Sequence, residues 1–251
     1  MTDPTHHLLE LRGVTKRFGK VTVATDLDLV VSAGETLGIV GPNGAGKTSL
    51  FAMISGDLHP DSGAVLFAGR DITGVSAHRR ARLGLGRTYQ VPRPFEKMTV
   101  FENVLVAATT GAGTRGQAAA TLAGETLDRT GMYDVANRVA GSLTLLQRKR
   151  LELARALATR PRLVLLDEVA GGLTDPEVAE LVTLVRSLHD TGIAVVWIEH
   201  VVHALTATVD RLACLAGGRV VADGLPADVL ADPTVRELYL GQAVATDEDV
   251  A

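Results

Sequence analysis

The 251-residue sequence contains a single cysteine, Cys214. One cysteine cannot close an internal disulfide, which fits a reducing, cytosolic setting. Its place in the apolar run Arg211-Leu-Ala-Cys-Leu-Ala216 reads as a small core residue rather than a reactive thiol. No apolar run approaches the roughly 20 residues that span a bilayer, so any membrane role is expected to pass through partner subunits. The opening Met1-Thr-Asp-Pro-Thr-His-His7 lacks a basic region followed by an apolar one, so no secretory signal is read there. Positive charge is not in excess either. The net charge is −4, which gives no whole-molecule argument for binding nucleic acid. Internal repeats and low-complexity linkers are also missing. The segment 242–251, ending Thr246-Asp-Glu-Asp-Val-Ala251, reads as a solvated acidic tail.

What is present is the material of a sizeable core. Hydrophobic residues make up 46% of the chain and charged residues 22%, which excludes a disordered chain and suits one large α/β domain or two closely joined lobes. Leu8–Gly13, Val21–Val31, Thr36–Val40 and Ala64–Phe67 read as strands. Lys47–Gly56 reads as a helix. Arg, Ala and Gly are common from about 76 to 150, where Val100–Thr109 and Ala118–Thr130 read as helices around a loop at 111–116. Leu163–Leu166 and Ala194–Ile198 are expected to be buried strands, with a helix from the Pro176 turn to about Asp190 between them. A hairpin is expected around Gly217-Gly218. Short apolar strands alternating with helices predict a mostly parallel, doubly covered sheet. The strand-rich N-terminus and the late hairpin predict an antiparallel sheet beside it.

Gly41-Pro-Asn-Gly-Ala-Gly-Lys-Thr48 fits the pattern G-x-x-x-x-G-K-[ST] between a strand and a helix. Gly41, Pro42, Asn43, Gly44, Ala45 and Gly46 form the loop, and its glycines let it wrap so that successive backbone N–H groups point inward at phosphate oxygens. The helix N-terminus adds partial positive charge. Lys47 is read as the charge on the β- and γ-phosphates, Thr48 as a hydroxyl for Mg²⁺, and Ser49 as a contact to the α-phosphate. Such a loop binds a nucleotide without saying what becomes of it, since kinases, GTPases and ATPases all use it.

Leu163-Val-Leu-Leu-Asp-Glu168 ends a strand on two carboxylates. Asp167 is read as an outer-sphere Mg²⁺ contact and Glu168 as the group that polarises an attacking water. Gln90, at the end of Leu85-Gly-Arg-Thr-Tyr-Gln90, offers a neutral amide that can ligate Mg²⁺ and hydrogen-bond the water. His200 follows the apolar run from Val195 and can link the γ-phosphate to Glu168. The remaining histidines have no such placement.

These elements, in this order, resemble the nucleotide-binding subunits of ATP-binding-cassette transporters over about Leu8 to Gly241. The resemblance implies a P-loop NTPase (RecA-like) α/β core with an antiparallel β subdomain and a helical subdomain near 76–150, together spanning 7–241. It implies ATP and Mg²⁺ as ligands and two subunits that sandwich two ATP molecules. Phe18, in Thr15-Lys-Arg-Phe-Gly19, falls where that family sets an aromatic ring against adenine; a core-facing ring at a strand end is the alternative. Gly86–Gln90, Phe95–Ala107, Asp167–Thr174 and Glu237–Gly241 are similar to the branched-chain amino acid uptake group. The resemblance therefore implies integral membrane permease subunits, a second ATPase subunit, an extracytoplasmic solute-binding protein, no nucleic acid, and a place on the cytoplasmic face of the membrane. It implies that Val91–Met98 meets the membrane subunit.

One segment departs from the family pattern. Where the family usually has Leu-Ser-Gly-Gly-Gln, this chain has Leu143-Thr-Leu-Leu-Gln147. Thr144 keeps a hydroxyl for nucleotide and helix cap, while Leu145 and Leu146 replace both glycines. Either the composite site still closes on Thr144 and the helix N-terminus, or the chain pairs with a different ATPase and one site is weak. The family often has Asp at Thr174, with Asp175 following here. Arg148-Lys149-Arg150 reads as a solvated helix face. The competing functions are a soluble cassette ATPase of DNA repair or ribosomes, a P-loop kinase, and a transporter of urea or amides.

Overall fold

The computed structural model describes residues 7–238. The acidic segment 242–251 and the end of the Glu237–Gly241 stretch lie outside the described residues. In chain order the elements are β1 (His7–Phe18), β2 (Val21–Ser32), β3 (Thr36–Val40), α1 (Lys47–Ser55), β4 (Ser62–Phe67), β5 (Arg70–Asp71), α2 (Ala77–Arg82) and β6 (Leu85–Arg87). Then follow α3 (Val100–Thr110), α4 (Gly116–Arg129), α5 (Leu145–Leu157), β7 (Leu163–Asp167), α6 (Asp175–His189) and β8 (Ala194–Ile198). The last are α7 (Val202–Thr206), β9 (Arg211–Ala216), β10 (Arg219–Gly224) and α8 (Pro226–Ala231).

Two sheets divide the strands. The first is antiparallel, in the order β2-β1-β4-β5. The second runs β10-β9-β3-β8-β7-β6. Its strands pair in parallel except for β10, which returns antiparallel along β9. The expectation that the late hairpin joins the antiparallel layer is therefore corrected. Arg211–Cys214 pairs in parallel with Leu37–Val40. The run Leu212–Leu215 is buried throughout, as a strand inside a covered sheet requires. The hairpin tip still reaches the other layer, since Thr25 N donates to Gly218 O at 2.9 Å.

Apolar periodicity decides which face each element buries. One cluster, with Leu9, Leu11, Leu37, Ile39, Phe51 and Val196, fills the space between the two sheets and α1. A second, with Leu166, Val178, Leu181, Val195 and Trp197, lies on the opposite face of the parallel sheet under α6. Cys214 belongs to it and is fully buried. A third, with Val104, Leu127, Leu143, Leu151 and Ala154, is formed among α3, α4 and α5. The stretch 76–150 is not wholly helical: β6 lies within it and pairs with β7. Thr99 and Thr174 start α3 and α6 with reciprocal caps from Glu102 and Glu177.

Candidate functional site

The phosphate loop occupies the crossing from β3 to α1. β3 is buried at all five positions, so the chain leaves the sheet at its carboxyl edge, where open α/β sheets place their ligands. Gly41 (φ 150°) and Gly46 (φ 101°) are required by close approach as well as by dihedral. A Cβ on Gly41 would lie 2.0 Å from Leu215 O, and one on Gly46 would lie 2.1 Å from Val23 O. Gly46 caps α1 without a side-chain hydrogen bond. A cavity of about 220 Å³ lies there, lined by Val23, the loop from Asn43 to Ser49, and Glu168. Lys47 is buried and its Nζ donates to Gly41 O at 2.6 Å and Pro42 O at 3.0 Å. Burial pulls its pKa below the ordinary lysine value, against the opposing pull of Glu168, Cys214 and Asp167. Thr48 is exposed.

Three further candidates converge beside that cavity because their strands are neighbours. β8, β7 and β6 are consecutive in the sheet, and His200, Glu168 and Gln90 follow their respective carboxyl ends. Gln90 Nε2 donates to Glu168 Oε2. His200 Nε2 lies 2.7 Å from Glu168 Oε1. Both oxygens of one carboxylate are thus held, by an amide and an imidazole, at the edge of an anion cradle. Such a carboxylate is oriented to accept a proton from a water placed between it and a phosphate.

Asp167 is almost fully buried at the end of β7. Burial raises its pKa, and Arg87 opposes the rise by charge and by a 3.2 Å hydrogen bond from Nη2. Sequence reasoning passed over Arg87, which also donates to Asp57 Oδ2 at 2.9 Å and Ser55 Oγ at 2.8 Å. The signal was its position three residues before Gln90. Among the described residues no cluster of three or more His, Cys, Asp or Glu side chains could hold a metal by itself. A magnesium ion, which dehydrates reluctantly and leans on substrate phosphates, suits the sparser set of Thr48 hydroxyl, Asp167 carboxylate and Gln90 amide.

Phe18 closes β1 with its ring half exposed at 50%, and Lys16 Nζ sits 5.5 Å from the ring centroid. The core-facing alternative is thereby excluded. Thr144 is the N-cap of α5, accepting from Gln147 N at 3.3 Å while Thr144 N donates to Gln147 Oε1 at 3.2 Å. Leu145 is 43% exposed. A Cβ on Gly172 would meet its Cδ2 at 3.3 Å.

The basic triplet at 148–150 is not a solvated face. Lys149 is buried, and its Nζ donates to Glu168 O at 3.2 Å. Arg148 donates to Leu143 O and Gly141 O at 3.0 and 2.9 Å, and Arg150 pairs with Glu180. The signal was spacing: Lys149 is followed at four and seven residues by Leu153 and Ala156, which share the inward face of α5. Glu199 was also missed, a buried carboxylate between the apolar β8 and His200.

A second cavity of about 450 Å³ lies where β6 and the helices meet, with Asp57, Arg87, Tyr89, Phe95, Asn103 and Arg155 among its walls. Asn103 fixes Phe95 from both sides, accepting from Phe95 N at 2.8 Å and donating to Phe95 O at 3.1 Å. Arg155 stands 5.0 Å over the Phe95 ring.

Comparison with known proteins bears on the chain as a whole. The family model described as ABC transporter matches residues 24–171, and one described as Branched-chain amino acid ATP-binding cassette transporter matches 219–245. The chain is 35% identical to the high-affinity branched-chain amino acid transport ATP-binding protein BraF of Pseudomonas aeruginosa, covering 94% of this chain and 98% of that protein. It is 36% identical to the lipopolysaccharide export system ATP-binding protein LptB of Acidithiobacillus ferridurans, over 93% and 97%. Among solved structures, the ADP conformation of MJ1267, an ATP-binding cassette of an ABC transporter, superposes with a TM-score of 0.86 at 29% identity, covering 94% of this chain and 100% of that one.

Proposed function

Since the chain belongs to the ATP-binding subunits of ABC transporters, a family that hydrolyses ATP, we propose that it energises import of a small polar solute, with branched-chain amino acids as the first candidates. The observation that carries the catalytic part is the grip of Gln90 and His200 on both oxygens of Glu168 beside the phosphate cavity. The match over 219–245 and the name of BraF support the solute class. The export protein LptB is as similar in overall identity, so the direction of transport rests on the 219–245 match.

In the proposed reaction ATP lies with its phosphates against the amides of 41–49 and its adenine against Phe18. Lys47 leaves its own loop carbonyls to meet the β- and γ-phosphates. Thr48, Asp167 and Gln90 would hold Mg²⁺, which supplies charge neutralisation on the phosphates when bound. Glu168 orients a water in line with the γ-phosphate and takes up its proton as the new P–O bond forms. The bond to the β-phosphate oxygen breaks, and the electron pair leaves with ADP. His200 keeps the Glu168 carboxylate turned toward the γ-phosphate. Two ATPase subunits, identical or not, close over two nucleotides and reopen after hydrolysis. Closure biases the permease subunits between their conformations. An extracytoplasmic binding protein delivers the solute. The walls around Phe95 and Tyr89, rather than the whole of Val91–Met98, receive the membrane subunit, since both rings are about half exposed and Phe95 is held rigidly. Among the described residues no helix is long and apolar enough to cross a membrane, and the permease contact supplies the peripheral attachment.

Two measurements test the proposal. Glu168→Gln should retain ATP binding and lose turnover by about 10³-fold, the scale of general-base catalysis; steady-state phosphate release at the parent rate removes Glu168 from the role. Phe95→Asp should leave the isolated ATPase intact and abolish ATP-driven uptake of labelled leucine in membranes carrying the assembled system. Unchanged uptake refutes the docking assignment, and uptake of urea or a short amide in place of leucine redirects the substrate.

A further inference from the structure

Two buried charges outside the phosphate cavity grip the main chain that carries Glu168. Lys149, 4% exposed on α5, donates from Nζ to the carbonyl oxygen of Glu168 at 3.2 Å. Glu199, 1% exposed after β8, accepts from Ala170 N at 2.6 Å through Oε1, and Trp197 Nε1 donates to the same oxygen at 3.2 Å. Between these two anchors the chain makes a left-handed turn. Glu168 has φ 46°, a left-handed conformation that is strained for a non-glycine residue and persists only where the surroundings impose it. Glu168 N donates to Ile198 O at 2.9 Å, and Gly171 N donates to Glu168 O at 3.3 Å.

The polarity of the arrangement is specific. A cation meets a peptide carbonyl, and a carboxylate meets a peptide amide two residues later. Each charge is costly to bury alone. Burial draws Lys149 below and Glu199 above the ordinary values, and each charge offsets part of the cost of the other. A plain leucine on α5 and a plain amide acceptor elsewhere would fill the same space without this cost. The charges are placed where they fix the backbone on either side of Glu168, whose two carboxylate oxygens must meet Gln90 and His200.

We infer that Lys149 and Glu199 are positioning residues of the hydrolytic site, forming a charge clamp on residues 168–170 that holds Glu168 in its strained turn. The inference rests on the reading of Glu168 as the group that acts on the attacking water. Removing one charge strands the other, so the decisive variant is the double substitution Lys149→Met with Glu199→Gln, which removes both charges and keeps the shapes. It should melt cooperatively, bind trinitrophenyl-ATP within about twofold of the parent, and lose kcat by roughly 10–100-fold, as small misplacements of a reacting group do. Lys149→Arg, which still donates to a carbonyl, should keep kcat within about threefold.

Parental kcat in the folded double variant overturns the clamp. A parallel loss of kcat and trinitrophenyl-ATP binding also overturns it, because that is the mark of a general packing role. Where the double variant does not melt cooperatively, the near-isosteric Glu199→Gln and the charge-keeping Lys149→Arg decide together: unchanged kcat in Glu199→Gln rejects the inference, and a fall with unchanged binding that Lys149→Arg does not share supports it. The underlying reading fails separately, by full turnover in Glu168→Gln.

Discussion

Two helix entrances in this molecule face the nucleotide chemistry of the family, and they are built in opposite ways. α1 begins at Gly46 with no side-chain hydrogen bond at its cap. α5 begins at Thr144 with a reciprocal cap from Gln147 and two leucines in its first turn. An uncapped helix start leaves amide donors without partners, which weakens the isolated helix and prepares it for an anion. A capped start satisfies its own amides and gains about 1 kcal/mol of stability. The first entrance is left open beside the cavity lined by residues 43–49. The second is spent largely on holding its own helix, whose far side carries Lys149 to the Glu168 carbonyl.

The sharpest way to break the contrast is to fill the open entrance. Gly46→Ala puts a Cβ against Val23 O at a residue whose φ is 101°. Strain and overlap together should cost about 3 kcal/mol of stability. Trinitrophenyl-ATP binding should disappear in whatever fraction remains folded. Chemical denaturation followed by a fluorescence titration measures both. A variant that binds the nucleotide with parental affinity would show that close approach at Gly46 is not needed.

The difference between the entrances also explains what could be read without a structure. The phosphate loop is spelled in eight contiguous residues, Gly41 to Thr48, so its backbone requirements are local. Gln90, Glu168 and His200 lie far apart in sequence, yet each follows the carboxyl end of a strand, and the order β8-β7-β6 brings them together. Lys149 was obscured because basic residues in a row look solvated, and only the inward spacing of Leu153 and Ala156 betrays it. Arg80 is a similar case. It looks like one of several surface arginines, but it is fully buried and donates to the carbonyls of Met53 and Ile54 at the end of α1, with Val75 and Thr73 completing the set. Burial pushes its pKa down to about 10. The late hairpin was assigned to the wrong layer because parallel pairing with β3 is a non-local property that β-rich composition does not encode.

A smaller effect should follow from opening the closed entrance. Leu146→Gly returns one residue of α5 to the family's glycine and removes a side chain from the surface that would face a partner's nucleotide. If Leu146 crowds that approach, ATP hydrolysis by the purified chain should rise several-fold, on the order of 1 kcal/mol in the barrier. The gain should come in kcat at high protein concentration, where two chains meet. An unchanged rate at every concentration argues that this entrance does not limit hydrolysis and favours pairing with a second ATPase whose own segment is intact.

The smallest effect belongs to the cap itself. Thr144→Ala removes the acceptor for Gln147 N, which lies on an exposed turn and should cost about 1 kcal/mol of stability. Were Thr144 only a cap, kcat per folded chain would stay unchanged in the homodimer and in an assembled complex alike. If it also donates to a γ-phosphate held by a partner ATPase, kcat should fall by more than the stability loss explains, and only at protein concentrations that support pairing. Thr144→Ser separates the two roles, since serine caps as well as threonine and keeps the hydroxyl. Parental stability and parental kcat in Thr144→Ser, beside a concentration-dependent loss in Thr144→Ala, would place the hydroxyl in the composite site even though its own helix already uses it.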